Sequence, residues 1–440
     1  MNKNINTEQI VTDILQTVKK KGATQAEVNY SQSKGLYISV RNGDVDTIEN
    51  SNDSSLILTV YNGKAKGSAS TAILDKASID LTIEKALNIA KLTETDDFAG
   101  IAELDLQANP ADFKDLGIYK PREVSPHEII QRAKLAEAAT LETKGLVVDE
   151  VGVSIGETTS VYANSNGFIG NKEGTNSSMS VIAIAEKDGQ MERDYWWDAV
   201  RDFENMMDPK ALGRKAAQRT IARIGAKKIK STKSPVLFDA SLAQGLVGHI
   251  LDAISGRSLY QEASFLKDDL DKQIFPSWFE INEDPFVEGG FASRNFDNNG
   301  VATKQRNIID SGVLTGFVLS VYSARRLAME TTGNAGGAHN LFIKSGDHDF
   351  ASALKELGTG LYVTSVMGQG INTVNGDYSR GASGFWVENG EIQFPVNELT
   401  IASNLKDMYK NLVLVANDVD RRNKIQTGSW LIDEMTIAGS

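Results

Sequence analysis

No cysteine occurs in the 440 residues. That absence excludes disulfide frameworks, thiol nucleophiles, cysteine-ligated zinc and iron–sulfur ligation. Histidine is scarce too, with only His127, His249, His339 and His348. A zinc site built from this chain alone would need histidine plus carboxylates. Basic charge is outweighed: 46 Lys and Arg against 58 Asp and Glu give −12, with a pI near 5.0. A broad phosphate-binding face of the kind nucleic acid requires is therefore excluded, and no direct nucleic-acid contact is expected. Long apolar runs are missing as well. A stretch such as residues 412–416 is of strand length, far below the ~18–20 residues of a membrane span. Residues 1–8 show no basic segment followed by an apolar one, so no secretory leader and a soluble, cytoplasmic location are expected.

What is present is the patterning of a folded α+β protein. Ile10, Val11, Ile14, Leu15 and Val18 share one face of a helix opened by Asn6, with Gln9 three residues on and Gly22 at its end. Alternating runs over residues 26–30, 36–40, 45–49 and 55–61 read as strands, with Asn42-Gly43 and Asn62-Gly63 as hairpin turns. A second helix is expected over residues 78–92, and residues 93–123 read as a long polar connection. Ser125-Pro126-His127-Glu128 opens a third helix and makes His127 an exposed first-turn residue. Further strands are expected over residues 147–155, 159–163, 168–171, 178–186 and 191–200, then a helix from Asp208-Pro209 to Gly225. The lysine-rich stretch 226–235 reads as a solvated linker. It divides an N-terminal α/β domain with an antiparallel sheet, residues 1–228, from a strand-rich C-terminal domain, residues 229–440. In the latter, dense turn signals, among them Asn282-Glu-Asp-Pro285 and Asn389-Gly390, predict a large curved or barrel-like sheet. Asp239 caps a helix over residues 240–255, ended by Gly256.

That helix holds the most informative histidine. His249 and Asp252 stand at i, i+3 and share a face, half of what a metal needs, while no His or Glu occupies the preceding turn. The residues alone leave a hydrogen-bonded helix histidine as the plainer reading. The segment Thr332-Gly-Asn-Ala-Gly336-Gly337-Ala-His339 lets a backbone approach a ligand closely, but lacks the Gly-Lys-Ser/Thr ending of a phosphate loop. A glycine-rich turn beside a cleft or a partner fits it better. Ser383 is not in a Gly-x-Ser-x-Gly elbow and is followed by a strand, which excludes a serine hydrolase. His348 sits in a polar turn, and Asp268-Asp269-Leu-Asp271 departs from a calcium loop.

Several longer motifs carry a resemblance. These are Ser255-Gly-Arg-Ser-Leu-Tyr-Gln-Glu-Ala-Ser-Phe-Leu266, Lys272-Gln-Ile-Phe-Pro276, Phe296-Asp-Asn-Asn-Gly-Val301 and Tyr322-Ser-Ala-Arg-Arg-Leu327. Thr332-Gly-Asn-Ala-Gly-Gly337 and Asn375-Gly-Asp-Tyr-Ser-Arg-Gly-Ala-Ser-Gly-Phe385 complete the set. In this order the chain resembles the TldD/PmbA family, in its PmbA branch, also called TldE. The resemblance implies a cytoplasmic two-subunit zinc peptidase that unwinds and trims peptides, as in peptide-antibiotic maturation and antitoxin turnover. TldD would be the metal-bearing subunit. The old family label is modulator of DNA gyrase.

The family's metal helix reads His-Glu-x-x-x-His, two ligands and a carboxylate base. Laid on this chain it falls on Gln244, Gly245 and His249, so only the last position matches, and the cysteine ligand expected downstream does not exist. The resemblance therefore implies a metal-free subunit with no catalytic residues and no cofactor of its own. Zinc would be held by a TldD-type partner in a heterodimer, or a homodimer would form when the chain is alone. Gln244, His249, Asp252, Gly336, Gly337 and His339 are the candidate cleft or peptide-binding residues. Two other readings compete: an active metallopeptidase with His249, Asp252 and His339 or His348 as unorthodox ligands, and a regulatory binding protein acting on DNA gyrase.

Overall fold

The computed structural model describes residues 6–439; residues 1–5, on which part of the N-terminal reading rests, lie outside the described residues. Among the described residues no helix is long and apolar enough to cross a membrane.

The first helix, α1 (Thr7–Lys20), is capped by Asn6, whose side chain accepts from the Gln9 N–H at 3.2 Å. The Gln9 side chain turns to Asp13 and does not complete a reciprocal box. A six-stranded antiparallel sheet follows, in the order β3-β2-β1-β4-β5-β6. Its members are β1 (Gln25–Arg41), β2 (Asp44–Asn62), β3 (Ala65–Thr71), β4 (Leu146–Asn164), β5 (Ile169–Lys187) and β6 (Gln190–Val200). The eight short runs expected along these chains are four long strands of 17 to 19 residues. Apolar alternation reports burial and not backbone path, which is why it broke. Ala26, Val28 and Tyr30 of β1 pack under α1 and α2 (Lys76–Leu92), whereas Ile38 and Val40 pack under α3 (Pro126–Leu141) and α4 (Pro209–Ile221). These residues all have one parity, so both helix pairs cover the same face at opposite ends. The strand between them is polar, yet its pairing runs unbroken from Ser31↔Ser55 to Gly35↔Ser51.

The second half closes a small barrel. Around it run β7 (Thr232–Phe238), β12 (Gly360–Met367), β13 (Asp377–Glu388), β14 (Glu391–Asn404) and β17 (Trp430–Ala438). β7 and β12 are parallel, and Thr400↔Ala438 joins β14 back to β17, which closes the ring. The expected barrel-like sheet is thus a closed five-stranded one, with β15 (Leu412–Val415) attached to β17. Asn389 and Gly390, both at positive φ, make the predicted hairpin turn between β13 and β14. A second, open sheet has the order β10-β9-β8-β11-β16, from β8 (Ile281–Asp284), β9 (Arg306–Asp310), β10 (Val313–Leu314), β11 (Asn340–Ile343) and β16 (Ile425–Gln426). Asn282, Glu283 and Asp284, expected in a turn, are strand residues of β8.

The lysine-rich stretch is docked along its length. Lys227 lies over the Phe394 ring at 4.7 Å, Lys228 pairs with Glu398, and residues 232–235 already belong to β7. Pro235 is tolerated there because β17 bulges between Ile432 and Met435, where no N–H is demanded of it.

Three arginines stitch the halves together through backbone carbonyls. Arg325, on α7 (Val321–Arg326), donates to the carbonyls of Phe98, Gly100 and Ile101. Arg201 donates to those of Gly290 and Phe291. Arg422 donates to the Trp197 carbonyl at 2.7 Å and stacks 3.9 Å from the Trp196 ring.

Candidate functional site

β7 delivers Asp239 to the start of α5 (Ala240–Ala253). Asp239 accepts from the Ser241 N–H at 3.0 Å and from the Tyr362 hydroxyl at 2.6 Å, which fixes the first turn against the barrel wall. One face of α5 buries Ala243, Leu246, Val247, Ile250 and Ala253 among Val236, Phe238, Leu361, Val363 and Ile432. Leu237, of opposite parity, points outward beneath α8 (Phe350–Leu357).

The other face of α5 carries Gly245, Gly248, His249 and Asp252. A Cβ built on Gly245 or Gly248 meets nothing within 4 Å, so the space above this face is open. Gln244, at the edge of that face, is buried. Its carbonyl oxygen accepts from the Asn423 amide at 3.3 Å, and its own Nε2 has no partner among the described residues. His249 is half-buried, edge-on to Tyr378 at 6.2 Å. Burial holds its imidazole below the usual range, Arg380 adds to that, and the nearby Asp252 carboxylate opposes it. Asp252 itself is exposed. The expected helix end at Gly256 is different: Ser255 caps a new short helix, α6 (Gly256–Tyr260), and a Cβ on Gly256 would fall 2.2 Å from Ser323 Oγ.

The glycine-rich segment is a turn that leads into β11, as expected, with Gly333, Gly336 and Gly337 all at positive φ. At Gly336 a Cβ would fall 2.5 Å from the Asn298 amide, so only glycine fits. His339 is 1% exposed and is not a cleft residue. Its ring Nε2 lies 3.1 Å from the Gly333 carbonyl, Nδ1 has no partner among the described residues, and burial pushes its pKa down to about 4. The segment is held by a group that sequence reasoning missed. Glu283, fully buried, accepts from the His339 N–H at 2.7 Å, the Asn334 amide at 2.7 Å and Arg306 Nε at 2.8 Å. Reading Asn282-Glu-Asp-Pro285 as a turn hid this carboxylate; the alternation Phe279, Ile281, Glu283 was the available signal.

The two parts meet through one short bridge. Asn423 touches Gln244, and the adjacent Lys424 donates to the Ala338 carbonyl at 3.3 Å. Gln244 and Ala338, next to Gly337, are thus contacted by consecutive residues, while His127 is exposed on α3 and His348 precedes α8 in a loop. Ser383 lies buried in β13 and accepts from Arg223 Nη2 at 3.2 Å, without a helix behind it. Among the described residues no three His, Asp or Glu side chains converge as metal ligands. The α5 positions do not fit a catalytic zinc: Gln244 is engaged through its amide oxygen, Gly245 has no side chain, and His249 is a single donor.

Comparison with known proteins places this architecture. Residues 231–439 match the PmbA/TldA metallopeptidase C-terminal domain, residues 119–224 its central domain, and residues 26–90 its domain 1. The scaffold is thus of a metallopeptidase class. The chain is 44% identical to the metalloprotease PmbA of Escherichia coli O157:H7, over 98% of this chain and 96% of that protein. It is 40% identical to a PmbA homolog of Haemophilus influenzae, with the same coverage. The chain belongs to the PmbA/TldD metallopeptidase family, in its PmbA branch. A solved structure from Bacteroides thetaiotaomicron, of a candidate modulator of DNA gyrase, superposes with a TM-score of 0.93 at 25% identity over all of both chains. TldE from Thermococcus kodakarensis, 22% identical, has the same fold, with a TM-score of 0.85 over 98% of this chain and 100% of that one.

Proposed function

We propose that this chain is the metal-free PmbA/TldE-type subunit of a cytoplasmic two-chain zinc peptidase, and that its work is to hold unfolded peptide beside a TldD-type partner's metal. The observation that supports this reading is the open face of α5, where Gln244 and Gly245 stand in place of a ligand and a base. A glycine can neither activate water nor bind a metal, and one histidine is short of the about three protein ligands a catalytic zinc needs. The open space above Gly245 and Gly248 suits a partner's surface or an extended peptide. Peptide-antibiotic precursors and antitoxins are the substrate types this reading favours.

A second reading draws on the names of the relatives, which are metalloproteases. An active enzyme would have to recruit His249 and Asp252 with His339 or His348. His339 argues against it, being closed in behind the glycine turn. A gyrase regulator would act through protein contact, given the −12 charge. The test is co-expression with the same organism's TldD-type chain. Unfolded-peptide cleavage by the pair, lost with EDTA and absent from either chain alone, is the expected result. Cleavage by this chain alone, or stoichiometric zinc that disappears in His249→Ala, would overturn the proposal.

A further inference from the structure

β5 is paired along only part of its second edge. β4 runs beside it from Ile169 to Ala185, but β6 covers it only from Ser177 onward. The Thr175 N–H points off the open edge, to the Ile118 carbonyl at 3.0 Å, and its carbonyl accepts from Arg201. Amide direction alternates along a strand, so Asn171 and Glu173 present their N–H and C=O on that same edge. Among the described residues these four groups have no hydrogen-bond partner there. The edge borders a cleft of about 1070 Å³ between the two halves.

Two half-buried cations, Lys172 and Arg294, face this cleft without an acceptor, while the exposed Lys114 at its rim lies over the Phe286 ring. Lys172 points to the opposite face from Asn171, and its ammonium lies 4.1 Å from the Phe296 ring. Arg294 approaches from the second half, beside the Gly336 turn. Both side chains are half-buried, and among the described residues neither forms an ion pair or donates a side-chain hydrogen bond. Burial, with Arg294 nearby, has pushed the Lys172 ammonium down to about 7, and burial holds the Arg294 guanidinium below its usual range against the pull of Asp297 and Glu283. Asp297 is the nearby acid, but its carboxylate is spent on the N–H groups of Asn299, Val301 and Ala335. Glu8, Asp115 and Glu173 also border the cleft; Glu8 is engaged with the Asn171 amide and Asp115 with the Gly117 N–H. Both side chains reach the cleft only in part, and a partly desolvated cation with no acceptor gains from an anion that completes it.

We propose that this cleft is a peptide-end subsite: an extended peptide adds to the open edge of β5 at Asn171 and Glu173 and places its C-terminal carboxylate between Lys172 and Arg294. Edge addition supplies sequence-tolerant main-chain bonds, and the two cations supply charge-assisted ones. The proposal rests on the reading that the chain handles peptides, but it concerns a place other than α5. It is decided by binding to this chain alone, without partner or metal, so its failure is separate from failure of the cleavage test.

The experiment measures fluorescence anisotropy of a short unstructured peptide with the full chain, as free acid and as C-terminal amide. Amidation, Lys172→Met and Arg294→Met are each expected to weaken binding about tenfold or more, the loss of one charge-assisted hydrogen bond. In the Lys172→Met/Arg294→Met double variant, acid and amide should bind alike. Both variants should melt no lower than the parent, because each removes a half-buried charge that lacks an acceptor; should either fail to fold, the acid-against-amide comparison on the parent decides. Equal affinity of the parent for acid and amide overturns the proposal, as does no measurable binding of the acid. Binding of an amidated peptide restored by an internal glutamate would overturn the terminal assignment.

Discussion

Replacing Gly245 and Gly248 with alanine should make the chain more stable and its assembly weaker. Both glycines lie inside α5 with ordinary negative φ, where glycine is about 1 kcal/mol less favourable than alanine because it loses more backbone freedom on folding. The added methyl meets nothing within 4 Å at either position, so no steric penalty offsets the gain. The double substitution should therefore stabilise by about 2 kcal/mol, the sites being close to independent. For a cooperative unit of domain size each kcal/mol raises the melting midpoint by about 2–4 °C. Urea and thermal unfolding of the isolated chain measure this. Gly213→Ala in α4 is the contrast: its methyl would lie 2.2 Å from the Ala136 carbonyl, so it should destabilise by about 1–3 kcal/mol. If the α5 face seats a partner or a peptide, the stabilised double variant should at the same time lose affinity for the TldD-type chain. Destabilisation of the isolated chain by Gly245→Ala or Gly248→Ala would refute the open-face geometry. Higher stability with unchanged assembly would refute its role as a contact surface.

Glu283→Ala should destabilise by about 3–5 kcal/mol in urea unfolding, because it strands the buried Arg306 guanidinium and two N–H donors. His339 is neutral in the folded state down to about pH 4, whereas the unfolded chain binds its proton near 6.5. The unfolded state thus binds more protons in that window, so stability should fall as pH drops from about 6.5 toward 4, by up to about 3 kcal/mol, and His339→Gln should flatten that dependence. Arg422→Ala should remove a guanidinium stacked on Trp196 and bonded to the Trp197 carbonyl, loosening the seam between the halves by about 1–2 kcal/mol and broadening the thermal transition seen by calorimetry.

The boundaries that could be read from the sequence are those set by local chemistry. Asn6, Ser125, Asp208 and Asp239 each cap a helix with a side-chain oxygen, and that grammar is written within three or four residues; the same signal at Asp75 was missed, and α2 starts at Lys76, two residues before the expected 78. The Asn42-Gly43 and Asn389-Gly390 turns are legible for the same reason: both residues of each pair take positive φ. Strand length was not legible, because the polar middles of β1, β2, β4 and β5 are set by where two helix pairs happen to lie on the sheet. Barrel closure was legible only as strand density. The bond that closes it, Thr400↔Ala438, joins residues whose sequence carries no mark of each other.

The same distinction divides the candidate residues. Gln244, Gly245 and His249 could be singled out because a motif fixes their spacing on one helix, and the structure leaves them on the open face of α5. That His339 is closed in while His249 stays half-buried was not legible in the sequence. What separates them is Glu283, 56 residues away, whose carboxylate draws the His339 N–H inward and closes the turn over the ring. A buried acid is stable there only because Asn334 and Arg306 complete its hydrogen bonds, so the Gly336–Gly337 turn is held rigidly at the cleft wall by charge compensation beneath it. The turn's role therefore follows from its underside. His339 serves the fold, and Gly336 lets Asn298 and Arg294 approach the turn from its other side.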